Sequence, residues 1–206
     1  IILQLQMILP LVMQEAEALV GAAKAFAEGQ PIGDGAGALV ASKLMRDLEK
    51  KKIEKDVVYA ETVLEGRHVL ALKAEGPGGN VGKPGDAMKR LMEERKGKIA
   101  MVVMVDAALK FEGEKTGEIS EGIGAAIGGI GTERYKIEEE ALKHKIPVYA
   151  FIVKESIQEA ILPMKKEISD SVDNVITRIR KLIKERTKEG DVILLAGIGN
   201  TVGIGQ

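Results

Sequence analysis

Residues 99–105 read Ile-Ala-Met-Val-Val-Met-Val, with no polar side chain, and stop on Asp106. A strand with one face in water alternates apolar and polar residues. An unbroken run of this length marks a strand covered on both faces. Val148–Val153 repeats the pattern, and Asp191–Ala196, apolar after its first residue, reads as a further strand. Doubly buried strands need helices on each side, and the segments between these runs provide them. Ala38–Lys51 carries the stripe Leu39, Val40, Leu44 and Leu48, and its basic end (Lys50, Lys51, Lys52) suits a helix C-terminus. Further helices are expected from Asp86 to about Lys96, over Glu133–Lys145 before Pro147, and from Ser169 along Val172, Val175, Ile179 and Ile183. Asp86, Thr132 and Ser169 are the expected N-caps. Val57–Leu64 and His68–Lys73, joined at Glu65–Gly66, read as a hairpin. The alternation predicts an α/β fold, with a mostly parallel sheet and helices on both faces.

The length of 206 residues suits one such domain, from 30 to 206, behind an N-terminal helical segment, 1 to 29. Within that segment Gln14–Glu28 has helical periodicity. Ile1–Met13 is apolar but interrupted by Gln4, Gln6 and Pro10, and falls short of the ~20 residues of a membrane span. It is expected as a packed helix or a homo-oligomer contact, and any membrane anchor is expected upstream of Ile1. The chain has no Cys, which excludes disulfides, thiolate metal sites and Cys nucleophiles and fits a reducing, cytoplasmic setting. Aromatics make up 3%, and the net charge is -1 with both signs interspersed. Neither stacking platforms nor a basic footprint for nucleic acid are present. Two separate histidines, His68 and His144, make no zinc motif.

Two aspartates stand out against this frame. Asp106 ends a buried strand, where open α/β sheets bind ligands, although an Asp there also caps turns. Asp34 lies between glycines at a helix entry, where it serves as an N-cap or faces a ligand. Glycine-rich loops leave backbone N–H groups for a substrate or an anion. Gly33, Gly35, Gly78, Gly79, Asn80, Gly199, Asn200 and Thr201 are therefore candidate ligand-binding residues, with turn geometry as the competing reason for the glycines. The Gly78–Lys83 loop lacks the ending of a phosphate-binding P-loop, and Gly122–Gly128 departs from the dinucleotide spacing. The acidic run Glu112, Glu114, Glu118 and Glu121 offers oxygen ligands to a divalent cation, or is a solvated loop.

Ile32–Gly37, Lys73–Gly79 and Asp106–Lys110 resemble an archaeal family of uncharacterised proteins, a domain of unknown function. From Met101 to about Ile176 the chain is also similar to the spore germination protease family. That similarity rests on Val105–Asp106–Ala107, Glu118–Ile119–Ser120–Glu121, the Gly-x-Gly at Gly129–Ile130–Gly131, Lys145–Ala150 and Ile168–Asp173. It implies a phosphorylase/hydrolase-like fold, shared with hydrogenase maturation endopeptidases, and brings Glu118 and Ser120 into the candidate site. In both peptidase families a Gly-x-Gly-Asn strand end runs on to an acidic residue at a helix start. Here the two pieces, Gly197–Ile198–Gly199–Asn200 and Gly33–Asp34–Gly35, lie at opposite ends, as a circular permutation would leave them. The permutation places the C-terminal strand centrally, with its tail beside Asp34. The resemblance implies catalysis by Asp34 and Asp106. The third metal ligand of the hydrogenase enzymes, a histidine, is replaced by the segment Gly131–Thr132–Glu133.

Three functions remain open: a peptidase-like hydrolase acting on peptide or protein, a module binding a nucleotide or another small anion, and a cytoplasmic scaffold assembled through the N-terminal helix.

Overall fold

The computed structural model describes residues 2–128 and 131–205. Ile1, Gln206, and the Gly129 and Ile130 of the similarity to germination protease lie outside them. Helix α1 spans Ile2–Glu28, and a single 3-10 turn, Gly33–Gly35, leads into α2, Ala36–Leu44. Three strands follow, β1 (Lys51–Glu54), β2 (Val57–Leu64) and β3 (Arg67–Ala74). Next come α3 (Pro84–Glu94), β4 (Ile99–Leu109), β5 (Ile119–Ile123) and α4 (Thr132–Lys143). The chain closes with β6 (Val148–Glu155), α5 (Ile157–Ile161), α6 (Lys166–Arg186) and β7 (Val192–Gly197).

The seven strands form one sheet in the order β1-β2-β3-β7-β4-β6-β5. The inner four, β3, β7, β4 and β6, are parallel. The flanks are antiparallel: β1 and β2 on one side, β5 on the other. Successive residues of β4 divide between two cores, as a run without polar residues requires. Met101, Val103 and Val105 pack with Val172, Val175 and Ile179 of α6 and Val40 of α2. Val102 and Met104 pack with Met88 and Leu91 of α3 and Ile137 of α4. Each such side chain, fully buried, contributes about 1.5–3 kcal/mol.

Several boundaries differ from expectation. Lys51 and Lys52 are not a helix end; α2 stops at Leu44, and the lysines begin edge strand β1, where Ile53 alone turns inward. Lysines on an edge discourage pairing with other chains. The glycine-rich Gly117–Gly131 contains strand β5, whose outward-facing edge residues carry no apolar alternation. Position 83 precedes α3, with Pro84 in its first turn, so Asp86 lies inside the helix, as Ser169 lies inside α6 and Thr132 inside α4. β4 and β6 run past Val105 and Val153 because their mutual pairing continues to Leu109 and Glu155. The hairpin holds: Glu65 and Gly66 both have positive φ (51° and 76°), the geometry of a two-residue turn matched to strand twist.

In α1, Ala18, Ala22 and Ala25 are buried, with Gly21 against Leu162. The earlier turns leave Leu5, Leu9 and Val12 exposed. Among the described residues no helix is long and apolar enough to cross a membrane.

α2 lies directly on the sheet's carboxyl edge through glycine. A Cβ on Gly37 would run into the carbonyl oxygens of Val105 and Ile198, and one on Gly197 into that of Gly37. Gly37→Ala is therefore expected to cost about 2–3 kcal/mol in urea unfolding, as overpacking against backbone does. Gly78→Ala, with open space at its Cβ, is expected to stay within about 0.5 kcal/mol of the parent.

Candidate functional site

β7 pairs with β4 up to Gly197–Val105, and the Ile198 N–H adds a last bond to the Val105 carbonyl at 2.8 Å. The chain then leaves the sheet, while β4 continues into Asp106. The next residues cross in front of the 3-10 turn. Gly199, at φ +129°, has no room for a side chain, because its Cβ would strike the Asp34 carbonyl. The Asn200 N–H donates to Asp34 Oδ2 at 2.9 Å. Asp34 and the C-terminal strand end, 166 residues apart in sequence, thus share a hydrogen bond.

Asp106 is 5% exposed. Its Oδ1 accepts the Ala107 N–H at 2.8 Å and its Oδ2 the Gly128 N–H at 3.0 Å. The turn-capping role and a site role coexist here, since the same carboxyl also borders a cavity. That cavity, about 380 Å3, is lined by Asp34, Asp106, Gly199 and Gly128, with Val81, Pro84, Ile127 and Ile198 among its apolar walls. Glu133 stands on its rim but is paired with Lys136 (2.8 Å), which also binds Asp86 (2.6 Å). Asp34 and Asp106 are the lining acids without an ion pair among the described residues. Burial pushes Asp106 up to about 7, opposed by the Ala107 N–H and assisted by the charge of Asp34. Burial likewise raises Asp34, against the Asn200 N–H. Desolvation penalises the charged form of an acid, and a neighbouring like charge adds to it.

The other candidates divide. Gly33 and Gly35 flank Asp34, with Gly35 against the Asn200 carbonyl. Asn80, Asn200 and Thr201 spend their polar groups on a clasp between loops. Asn80 Nδ2 donates to the Glu75 carbonyl (2.8 Å), Asn200 Nδ2 to that of Gly79 (3.1 Å), and the Thr201 N–H to that of Asn80 (3.0 Å). Gly79 takes part through its backbone, and Gly78 stands in open space. Glu118 accepts the Lys115 N–H, and Ser120 pairs with Ile152 across β5 and β6. The acidic run does not converge, because Glu114 pairs with Lys154 (3.2 Å) and Glu121 with Arg178 (2.7 Å). Among the described residues no three His, Asp or Glu side chains are grouped to hold a metal ion. His144 is bound to Glu140 at the end of α4 (3.0 Å).

One acid escaped the sequence reading. Glu155, at the end of β6, is 2% exposed and faces the charges of Asp34, Glu159 and Asp106. The one available signal was its place two residues after the apolar run Val148–Val153.

The model of the C-terminal domain of unknown function DUF1512 matches residues 32–205, and the chain belongs to that family. The match covers the whole sheet and both aspartates and leaves α1 outside. No curated protein matches the chain.

Asp106 links folding to pH. Its folded pKa lies above the unfolded value, so its contribution is fully present below about pH 4 and lost as pH rises through about 7. Asp106→Asn removes that loss. Thermal unfolding across pH 4–8 should show the variant's melting temperature gaining on the parent's up to about pH 7; a constant difference would contradict a buried, raised Asp106.

Proposed function

We propose that this DUF1512 C-terminal domain is a peptidase-like hydrolase in which Asp34 and Asp106 act as a base and an acid on a substrate held in the cavity between them. The observation that carries the reading is the pair itself: two carboxyl groups lining one cavity, both raised, with Asp106 raised to about 7. Acids driven to different ionisation by their surroundings provide both partners of a proton-transfer reaction near neutral pH. Asp34, held by one N–H and nearer the tail, serves as the carboxylate that takes a proton from water. Asp106 serves as the neutral acid that delivers one to the leaving amide nitrogen. Water then stands divided across the broken bond, and the proton on Asp34 returns to Asp106 through solvent before the next turnover.

A peptide suits the lining better than an anion does. The apolar walls, Val81, Pro84, Ile127 and Ile198, accommodate a side chain. A nucleotide phosphate would meet the charge of Asp34 instead. The similarity to germination protease supports the same choice. In that family the Gly-x-Gly-Asn strand end and the acid are continuous; here the two pieces meet through the bond from the Asn200 N–H to Asp34. β7 stands between β3 and β4, the central position that a permutation of such a domain gives its last strand. On this reading the sheet is germination-protease-like, with a phosphorylase/hydrolase-like lineage.

Asp34→Asn and Asp106→Asn are each expected to lower kcat for cleavage of a peptide library by about 100-fold or more, the scale of acid–base catalysis. The parent's kcat/KM should be bell-shaped in pH. It rises as Asp34 ionises, above the ordinary Asp range, and falls as Asp106 loses its proton near 7. Full activity in either variant would refute the reading.

A further inference from the structure

Glu155 is buried to 98% of its surface, yet among the described residues its Oε2 has no hydrogen-bond partner. Buried polar atoms are rarely left alone, and a charged one costs more than a neutral one. The carboxyl group lies under the turn that carries Asp34. A Cβ on Gly33 would collide with Glu155 Oε2 and with the Glu159 carbonyl, so the turn rests directly on this acid. Among the described residues the charges that bear on it are acidic: Asp34 from the turn, Glu159 from α5 and Asp106 from β4. The nearby cations are engaged elsewhere. Lys165 (2.7 Å) and Lys110 (3.6 Å) pair with Glu159, and Lys154 pairs with Glu114.

We infer that Glu155 is a positioning residue for Asp34: an uncharged acid that supports the Gly33–Gly35 turn and leaves the negative charge of the site to Asp34. The inference rests on the reading of Asp34 as the base. Burial comes first, then the charges of Asp34, Glu159 and Asp106, in pushing Glu155 up to about 8. Below that pH the acid under the turn is neutral. Above it a second charge arises beneath the turn, so that a proton is held more tightly on Asp34. Glu155 thereby withholds a second charge from beneath the base up to about pH 8.

The test follows Asp34 itself, by carboxyl carbon NMR, in Asp106→Asn and in Asp106→Asn/Glu155→Gln. With Asp106 removed from titration, the Asp34 signal is expected to move in two steps, its own ionisation and a smaller second step below about pH 8, since one of the charges that raise Glu155 is gone. The double variant should keep only the first. A single step in Asp106→Asn overturns the inference, and a second step surviving in the double variant overturns it as well. Glu155→Gln alone should gain melting temperature on the parent between about pH 5 and 8, because a raised acid loses stability as pH rises. The readout does not require turnover. Intact hydrolysis in Asp34→Asn and Asp106→Asn would remove the catalytic reading and leave the two-step curve standing. Inactive variants with a one-step curve would remove only the role of Glu155.

Discussion

The site depends on one contact between distant parts of the chain: the tail after β7 laid, backbone on backbone, across the start of α2. Gly37, Gly197 and Gly199 make that approach, since a methyl group at any of them would meet a carbonyl oxygen. The Asn200 N–H then fixes Asp34 from the far end of the sequence. Without this contact Asp34 would be an ordinary acid at a helix entry. With it, the side chain is half-buried and shares a cavity with Asp106. The clasp among Asn80, Asn200 and Thr201 holds the tail in turn.

The electrostatics follow from where these atoms are placed. Three acids, Asp34, Asp106 and Glu155, are gathered at the carboxyl ends of β4 and β6 and the turn between them, each desolvated and each raised. Glu159 shows the opposite outcome a few residues away. Burial works against its charge there too, yet Lys165, the Ser156 N–H and Thr116 hold it down at about 2. Burial alone therefore does not decide the ionisation; a paired cation and donated hydrogen bonds oppose it. An arrangement that keeps acids neutral at the carboxyl end of a sheet costs stability as pH rises.

The central strands were legible because burial on both faces demands unbroken apolar runs, and β4, β6 and β7 have them. The hairpin was legible from Glu65–Gly66, whose turn chemistry is local. The edges were not. β1 is mostly lysine and glutamate with one inward Ile53, and β5 is a polar edge whose partner, β6, lies well downstream in the sequence; strands with a solvated face leave little periodic trace. In the site, Asp34 and Asp106 could be singled out by their positions beside glycines and at a strand end. The neighbours Asn80 and Thr201 read as ligand donors, because sequence does not show that two loops will consume each other's polar groups. Glu155 was hidden behind Lys154, since the apolar run of β6 ends before its strand does.

Asp34 and Asp106 can form one site only as electrostatic neighbours. Carboxyl carbon NMR of Asp106 in the parent and in Asp34→Asn measures this directly. With the Asp34 charge removed, the Asp106 midpoint should fall below about 7 while staying above the ordinary Asp range, because a like charge that raised it is gone and its burial remains. An Asp106 midpoint that stays where it was would show two independent acids and contradict the shared site.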